Sequence, residues 1–249
     1  MQRFLVFLIV AGAVAGITGC KADSGSRTSS QIDADSSSAG RTSDGPSTTS
    51  TTPTPPDKDA KAPVQDQRPL VVCFGDSLTA GYGADDGQSY PDFLQRDLDA
   101  DGFHFRVVNE GISGNTTKDG VERLAEVQAL KPSLVVLEFG GNDGLRGFKI
   151  QTTRTNLATM ISGLQQSGAK VVLAGITLPP DYGPDYVNSF TATYPTLARK
   201  YGIPVLPFIL KGVYGVDGMM QGDGIHATDK GNAIVAKNVL QFVEPLLKK

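Results

Sequence analysis

The chain contains little of several residue types that mark particular classes of protein. Its 249 residues include two histidines and two cysteines, and the formal net charge of −3 gives no basic excess of the kind that binds nucleic acid. Neither a G-x-G-x-x-G motif nor a P-loop follows the first predicted strand, which argues against a nucleotide-binding module. The scarcity of histidine also restricts the choice of a catalytic base to His104 and His226.

Residues 1–20 are predicted to be a secretory signal. One arginine precedes an apolar run that is too short and too rich in glycine and alanine for a membrane-spanning helix. The run ends in Ile17-Thr18-Gly19-Cys20, which resembles the lipobox of bacterial lipoproteins, so Cys20 is the predicted site of lipid attachment. A plain signal peptide with a chance cysteine is the alternative. Lipidation predicts an extracytoplasmic protein, anchored to a membrane on the periplasmic side or at the cell surface.

Residues 21–68 are rich in serine, threonine and proline and have almost no large apolar residue. Such a composition predicts a disordered tether, which as a flexible coil would span roughly 40 Å r.m.s..

Residues 69–249 are long enough for one substantial core. Cys73 falls in this domain, and with Cys20 lipidated it has no disulfide partner, so it is expected to be a small buried hydrophobic residue.

The domain alternates apolar, β-favouring runs with segments of helical periodicity. Strands that are apolar throughout are buried on both faces by helices, which predicts a three-layer α/β/α fold around a parallel sheet. The predicted strands are 71–74, 103–109, 134–139, 171–176 and 203–208. The predicted helices are 90–98, 121–130, 157–164, 186–201 with a kink at Pro195, and 235–246.

Ser77 is the candidate nucleophile because it follows the first strand, and open α/β sheets bind ligands at the carboxyl ends of their strands. Serine needs a base to take its proton. His226 precedes the last helix, and Asp223, three residues earlier, can orient one imidazole nitrogen while the other faces Ser77. His104 falls toward the amino end of the second strand, at the opposite edge of the sheet. A serine that only caps a helix, with Asp223 and His226 on the surface, is the structural alternative.

Two further strand ends offer hydrogen-bond donors for an oxyanion. Glycine-rich segments follow the second and third strands, at 109–115 and 140–143. The backbone N–H groups of Ser77 and Gly114 and the side-chain amide of Asn142 are the expected donors. All of these groups are predicted to meet at one edge of the sheet.

The four segments together resemble the SGNH (GDSL) hydrolase family. G-D-S-L contains Ser77, G-N begins at Gly114, G-G-N-D contains Asn142 and D-G-I-H ends at His226. The resemblance covers residues 70–249, and the loops 141–148 and 178–183 look like those of its bacterial thioesterase I, lysophospholipase and arylesterase branch. It implies a flavodoxin-like, five-stranded parallel sheet of order 2-1-3-4-5, a triad of Ser77, Asp223 and His226, and no metal or other cofactor. The lipobox and the long tether depart from the soluble form of that branch.

The resulting expectation is a monomeric serine hydrolase that cleaves acyl esters, thioesters or lysophospholipids through an acyl-serine. A carbohydrate O-acetyl esterase is the alternative, and a non-catalytic surface lipoprotein is a third possibility that the intact triad residues disfavour. An apolar wall is expected to bind the acyl chain and to favour medium or long chains over acetyl. The residues expected to form it are Ile112, Leu145, Phe148, Leu178 and Pro179.

Overall fold

The computed structural model of the protein describes residues 66–248. The predicted signal peptide, Cys20 and the predicted tether up to residue 65 lie outside the described residues. Within the described range, no helix is both long enough and apolar enough to cross a bilayer.

A five-stranded sheet, parallel throughout, forms the middle layer. Its order is β2-β1-β3-β4-β5, which confirms the order that the family resemblance implied. The strands are β1 (Leu70–Gly75), β2 (Arg106–Gly111), β3 (Leu134–Glu138), β4 (Lys170–Ala174) and β5 (Val205–Leu206).

Two strands begin later than the sequence predicted. β5 has two residues rather than six because it lies between Pro204 and Pro207, neither of which has an N–H for the ladder. β2 begins at Arg106 rather than at residue 103, since its first pairing partner is Leu70, where β1 itself begins. The central strands β1 and β3 are almost wholly buried, as expected for strands covered on both faces.

Helices cover both faces of the sheet. One layer contains α2 and α8, which pack against each other, and the other contains α3, α5 and α7. Ser89 and Thr116 are the N-cap residues of α2 and α3. The helices are α1 (Ser77–Ala80), α2 (Tyr90–Ala100), α3 (Thr117–Ala129), α4 (Gly141–Leu145), α5 (Ile150–Gln166), α6 (Pro184–Thr191), α7 (Thr193–Tyr201) and α8 (Asp229–Val243).

The segment 186–201 is mostly helical, as predicted, but it is broken at Ala192 rather than kinked at Pro195. The structure has two helices, α6 and α7, separated at Ala192. Pro195 lies in the first turn of α7, where a missing N–H leaves no intrahelical bond unmade. Within a continuous helix the same proline would remove the hydrogen bond to the carbonyl of Thr191, which is where α6 ends.

Candidate active site

Four loops meet at the carboxyl edge of the sheet. They follow β1, β2, β3 and β5, and they bring Ser77, Gly114, Asn142 and His226 to one cavity. The convergence follows from the topology, since all five strands point the same way and end at the same edge.

Ser77 stands at a tight junction between β1 and α1. A side chain at Gly75 would place its Cβ 2.1 Å from Thr79 Oγ1 and 2.6 Å from the Glu138 carbonyl oxygen, so only glycine fits there. Asp76 then caps α1 by accepting the Leu78 N–H at its Oδ1, at 3.1 Å. Because Ser77 is the first residue of α1, its own N–H has no partner within the helix.

A chain of hydrogen bonds joins Ser77, His226 and Asp223. Ser77 Oγ lies 2.8 Å from His226 Nε2, and His226 Nδ1 lies 2.6 Å from Asp223 Oδ2. Asp223 Oδ1 accepts the backbone N–H groups of Ile225 and His226 at 2.9 and 3.0 Å, which holds the carboxylate in place. Partial burial acts to raise the pKa of Asp223, but these hydrogen bonds, led by that from the imidazole, outweigh burial and lower it to about 2.

Asn142 lies on the other side of Ser77, in the first turn of α4. Its Nδ2 donates to the carbonyl oxygen of Asn115 at 3.0 Å and to Asp76 Oδ2 at a longer 3.3 Å. Gly114 has a φ of 82°, a left-handed conformation that glycine adopts without strain. Both residues line the cavity beside Ser77, so the geometry is compatible with the three predicted oxyanion donors.

Asp143, the last residue of the G-G-N-D segment, holds α4 in position. It is buried, and its carboxylate accepts the Thr117 N–H at 2.9 Å and the Thr153 hydroxyl at 3.2 Å. These bonds connect α4 to α3 and α5. Asp143 was not predicted as a site residue, although its place directly after Asn142 was the available signal.

The cavity has a volume of about 280 Å³ and opens beside Ser77. Of the five residues expected to form the apolar wall, Leu145, Leu178 and Pro179 line the cavity. Ile112 and Phe148 do not line it; their side chains are 44% and 42% exposed on the surface. The rest of the apolar wall, which sequence reasoning missed, consists of Leu78, Tyr82, Ile176, Phe208, Leu210, Tyr214 and Ile225.

The remaining candidates lie away from this chemistry. His104 is exposed and precedes β2, at the amino edge of the sheet. Cys73 is a free thiol buried in β1, and burial raises its pKa to about 12, so it is not a nucleophile at neutral pH. Among residues 66–248, no group of three or more His, Cys, Asp and Glu side chains is arranged to hold a metal ion.

A serine, histidine and aspartate hydrogen-bonded in series at the carboxyl edge of a parallel three-layer sheet define a serine hydrolase of the α/β/α class. Residues 73–234 match the GDSL-like Lipase/Acylhydrolase family, and the chain belongs to that family.

Characterised relatives agree with this assignment. The chain is 45% identical over 178 residues to Esterase TesA of Pseudomonas aeruginosa, a match covering 71% of this chain and 89% of that protein. It is 36% identical over 178 residues to Thioesterase 1/protease 1/lysophospholipase L1 of Escherichia coli, covering 71% and 84%. The crystal structure of TesA superposes with a TM-score of 0.69 at 44% identity, covering 72% of this chain and 99% of that one.

Proposed function

We propose that the chain hydrolyses acyl esters and thioesters, lysophospholipids among them, through an acyl-serine intermediate. The observation that carries this proposal is the hydrogen-bonded series Ser77, His226 and Asp223, of which Ser77 and His226 line an apolar cavity. The esterase, thioesterase and lysophospholipase names of its relatives support the same chemistry.

In the first step, His226 Nε2 takes the proton of Ser77 Oγ as that oxygen attacks the carbonyl carbon of the substrate. Asp223 accepts the Nδ1–H of His226, which selects the tautomer with a free Nε2 and stabilises the imidazolium as it forms. The imidazolium then gives its proton to the departing alcohol or thiol. Water, activated by the same histidine, attacks the acyl-serine and releases the carboxylic acid.

The negative oxygen of each tetrahedral intermediate is stabilised by the N–H groups of Ser77 and Gly114 and by Asn142. Both hydrogens of the Asn142 amide already have acceptors in the free enzyme. The bond to Asp76 is the longer of the two, so we infer that this hydrogen turns to the oxyanion.

Medium or long acyl chains are the proposed substrates. The wall of the cavity is predominantly apolar, with leucine, isoleucine, proline and aromatic side chains among its lining residues. Such a wall offers an acyl chain hydrophobic contact and offers the hydroxyl groups of a sugar few polar partners. This argues against the carbohydrate O-acetyl esterase that the sequence analysis kept as the alternative.

Ser77→Ala tests the reaction. Loss of the triad's function leaves only a small residual rate, so hydrolysis of p-nitrophenyl octanoate and of a lysophosphatidylcholine should both be lost. Thermal unfolding and the circular dichroism spectrum should match those of the wild type. Unchanged turnover in a folded Ser77→Ala variant would contradict the serine mechanism.

We also propose that Cys20 is lipidated and that the enzyme is held at a membrane on the extracytoplasmic side. The support is the Ile17-Thr18-Gly19-Cys20 sequence after an apolar run. In bacterial cells that process lipoproteins, wild-type protein should fractionate with membranes and Cys20→Ala with the soluble fraction, active in both cases. Wild-type protein in the soluble fraction would overturn the anchor and leave the proposed reaction untouched.

A further inference from the structure

Two carboxyl groups are buried together beneath the nucleophile. Asp76 precedes Ser77, and Glu138 is the last residue of the neighbouring strand β3. The exposed fraction is 2% for Asp76 and 0% for Glu138. The backbone N–H of Asp76 donates to Glu138 Oε2, and no cation forms an ion pair with either carboxyl group among the described residues.

The hydrogen bonds around the two carboxyl groups indicate which of them keeps a proton. Glu138 Oε2 accepts the Thr79 hydroxyl at 2.8 Å and the Asp76 N–H at 3.3 Å. Asp76 also accepts at both oxygens, from the Leu78 N–H and from the Asn142 amide. Glu138 Oε1 is buried, and no N–H or O–H donor in residues 66–248 reaches it. An ionised carboxyl group is costly to bury without a cation or a full set of donors, and a proton on Glu138 removes that cost.

We propose that Glu138 is a positioning residue for the oxyanion site: it stays protonated and shares its proton with the neighbouring carboxylate of Asp76, which in turn holds Asn142. Glu138 contacts no reacting atom and acts only through Asp76. The inference rests on the proposed serine-hydrolase function and adds a residue to its machinery.

The electrostatics of the pair agree with one shared proton. Burial, and then the negative charge of Asp76, raise the pKa of Glu138 well above its usual range. Burial also raises the pKa of Asp76, to about 6, so near neutral pH Asp76 is the ionised partner. The titratable groups that face the pair are Cys73 on β1, Tyr90 on α2, Tyr194 on α7 and, toward Asp76, His226.

The proton matters because the pair lies next to a site where negative charge develops. With one proton the pair carries a single charge, and donation from Glu138 weakens the pull of Asp76 on the Asn142 hydrogen that the oxyanion needs. Loss of the proton would leave two buried negative charges, which would oppose the oxyanion and draw the Asn142 amide toward Asp76. Turnover should therefore fall when the pair loses its proton at alkaline pH.

Glu138→Gln distinguishes a role as hydrogen-bond donor from a role in packing alone. The glutamine amide can donate to Asp76 and its oxygen can accept from Thr79, but it does not ionise. We expect a kcat near that of the wild type at pH 7, with the alkaline fall in kcat absent. Glu138→Ala should lower kcat by about 10²-fold with little change in KM, since a misplaced catalytic group is costly in the transition state. Glu126→Gln, at an exposed position on α3, is the matched control and should change neither quantity.

A spectroscopic measurement makes the test independent of turnover and of the folding of Glu138→Ala. The infrared difference spectrum, wild type minus Glu138→Gln at pH 7.5, should show the C=O stretch of a neutral carboxyl group. Absence of that band, or an alkaline limb that is identical in wild type and Glu138→Gln, would overturn the proposal. A wild-type enzyme without ester or thioester hydrolysis would instead contradict the proposed function, and the infrared band would still report on the pair.

Discussion

Leu145→Ala is expected to reduce the preference for long acyl chains, whereas Phe148→Ala, three residues further on, is not. Leu145 is half-buried and lines the cavity, while Phe148 lies outside its wall. An octanoyl group has six methylenes more than an acetyl group, which would contribute about 5 kcal/mol if all were fully buried. The cavity is only partly enclosed, so about half of that is expected, or roughly a hundredfold in kcat/KM.

The measurement is kcat/KM for p-nitrophenyl esters from acetate to decanoate, below their critical micelle concentrations. Wild type and Phe148→Ala should show the same rise, because Phe148 does not touch the chain. Leu145→Ala should match them on acetate and lose about tenfold on octanoate, the effect of one or two lost apolar contacts. A flat series in the wild type, or a rise that Phe148→Ala removes and Leu145→Ala leaves intact, would refute the assignment of this cavity to the acyl chain.

Two further substitutions test the site. Asn142→Ala should lower kcat by about 10²–10³-fold and change KM little, since an oxyanion donor acts mainly in the transition state; a change in KM alone would show that Asn142 only binds substrate. Asp223→Asn should lower kcat by up to about 10⁴-fold, measured with p-nitrophenyl octanoate at pH 8. Because the folded-state pKa of Asp223 is about 2, below its usual 3.8, its ionised form stabilises the fold above about pH 4, and that stabilisation is lost as pH falls toward 2. Between pH 4 and pH 2, the free energy of unfolding should therefore fall less steeply with pH in Asp223→Asn than in the wild type. Identical pH dependence in the two proteins would contradict this contribution of Asp223.

The fold was largely predictable from the sequence because the physical signal is strong in its central strands. Runs such as Leu134–Leu137 are apolar at every position, and only a strand covered on both faces has that pattern. The edge strand β5 was less predictable. Residues 203–208 are all apolar, but Pro204 and Pro207 flank Val205 and Leu206, and only these two residues pair in the sheet. Pro195 does not produce the predicted kink. Proline disrupts the interior of a helix, but Pro195 lies in the first turn of α7, where it is tolerated.

The candidate triad was predictable for a different reason. Ser77, Asp223 and His226 are polar residues in short glycine-containing segments, and a parallel sheet brings such segments to one edge whatever their distance in sequence. The cavity wall was not predictable in the same way. Phe208 and Tyr214 follow β5 in a loop without a motif, and apolar residues in a loop pack inward or line a site with equal ease. Only the three-dimensional path of that loop separates Tyr214, which lines the cavity, from Phe148, which does not.

Glu138 shows what signal a buried positioning residue leaves in a sequence. It is the one charged residue in the run Leu-Val-Val-Leu-Glu-Phe, whose other members form the core of β3 and its end. A carboxyl group in such a strand must find hydrogen bonds or keep its proton, since an ionised group without partners is expensive to bury. Glu138 has donors for one oxygen only, so the structure leaves the proton as the remaining solution. Its position at the carboxyl end of β3, three residues before the start of the helix that carries Asn142, places that proton at the catalytic edge. A local departure from the apolar pattern there indicates function rather than faulty packing.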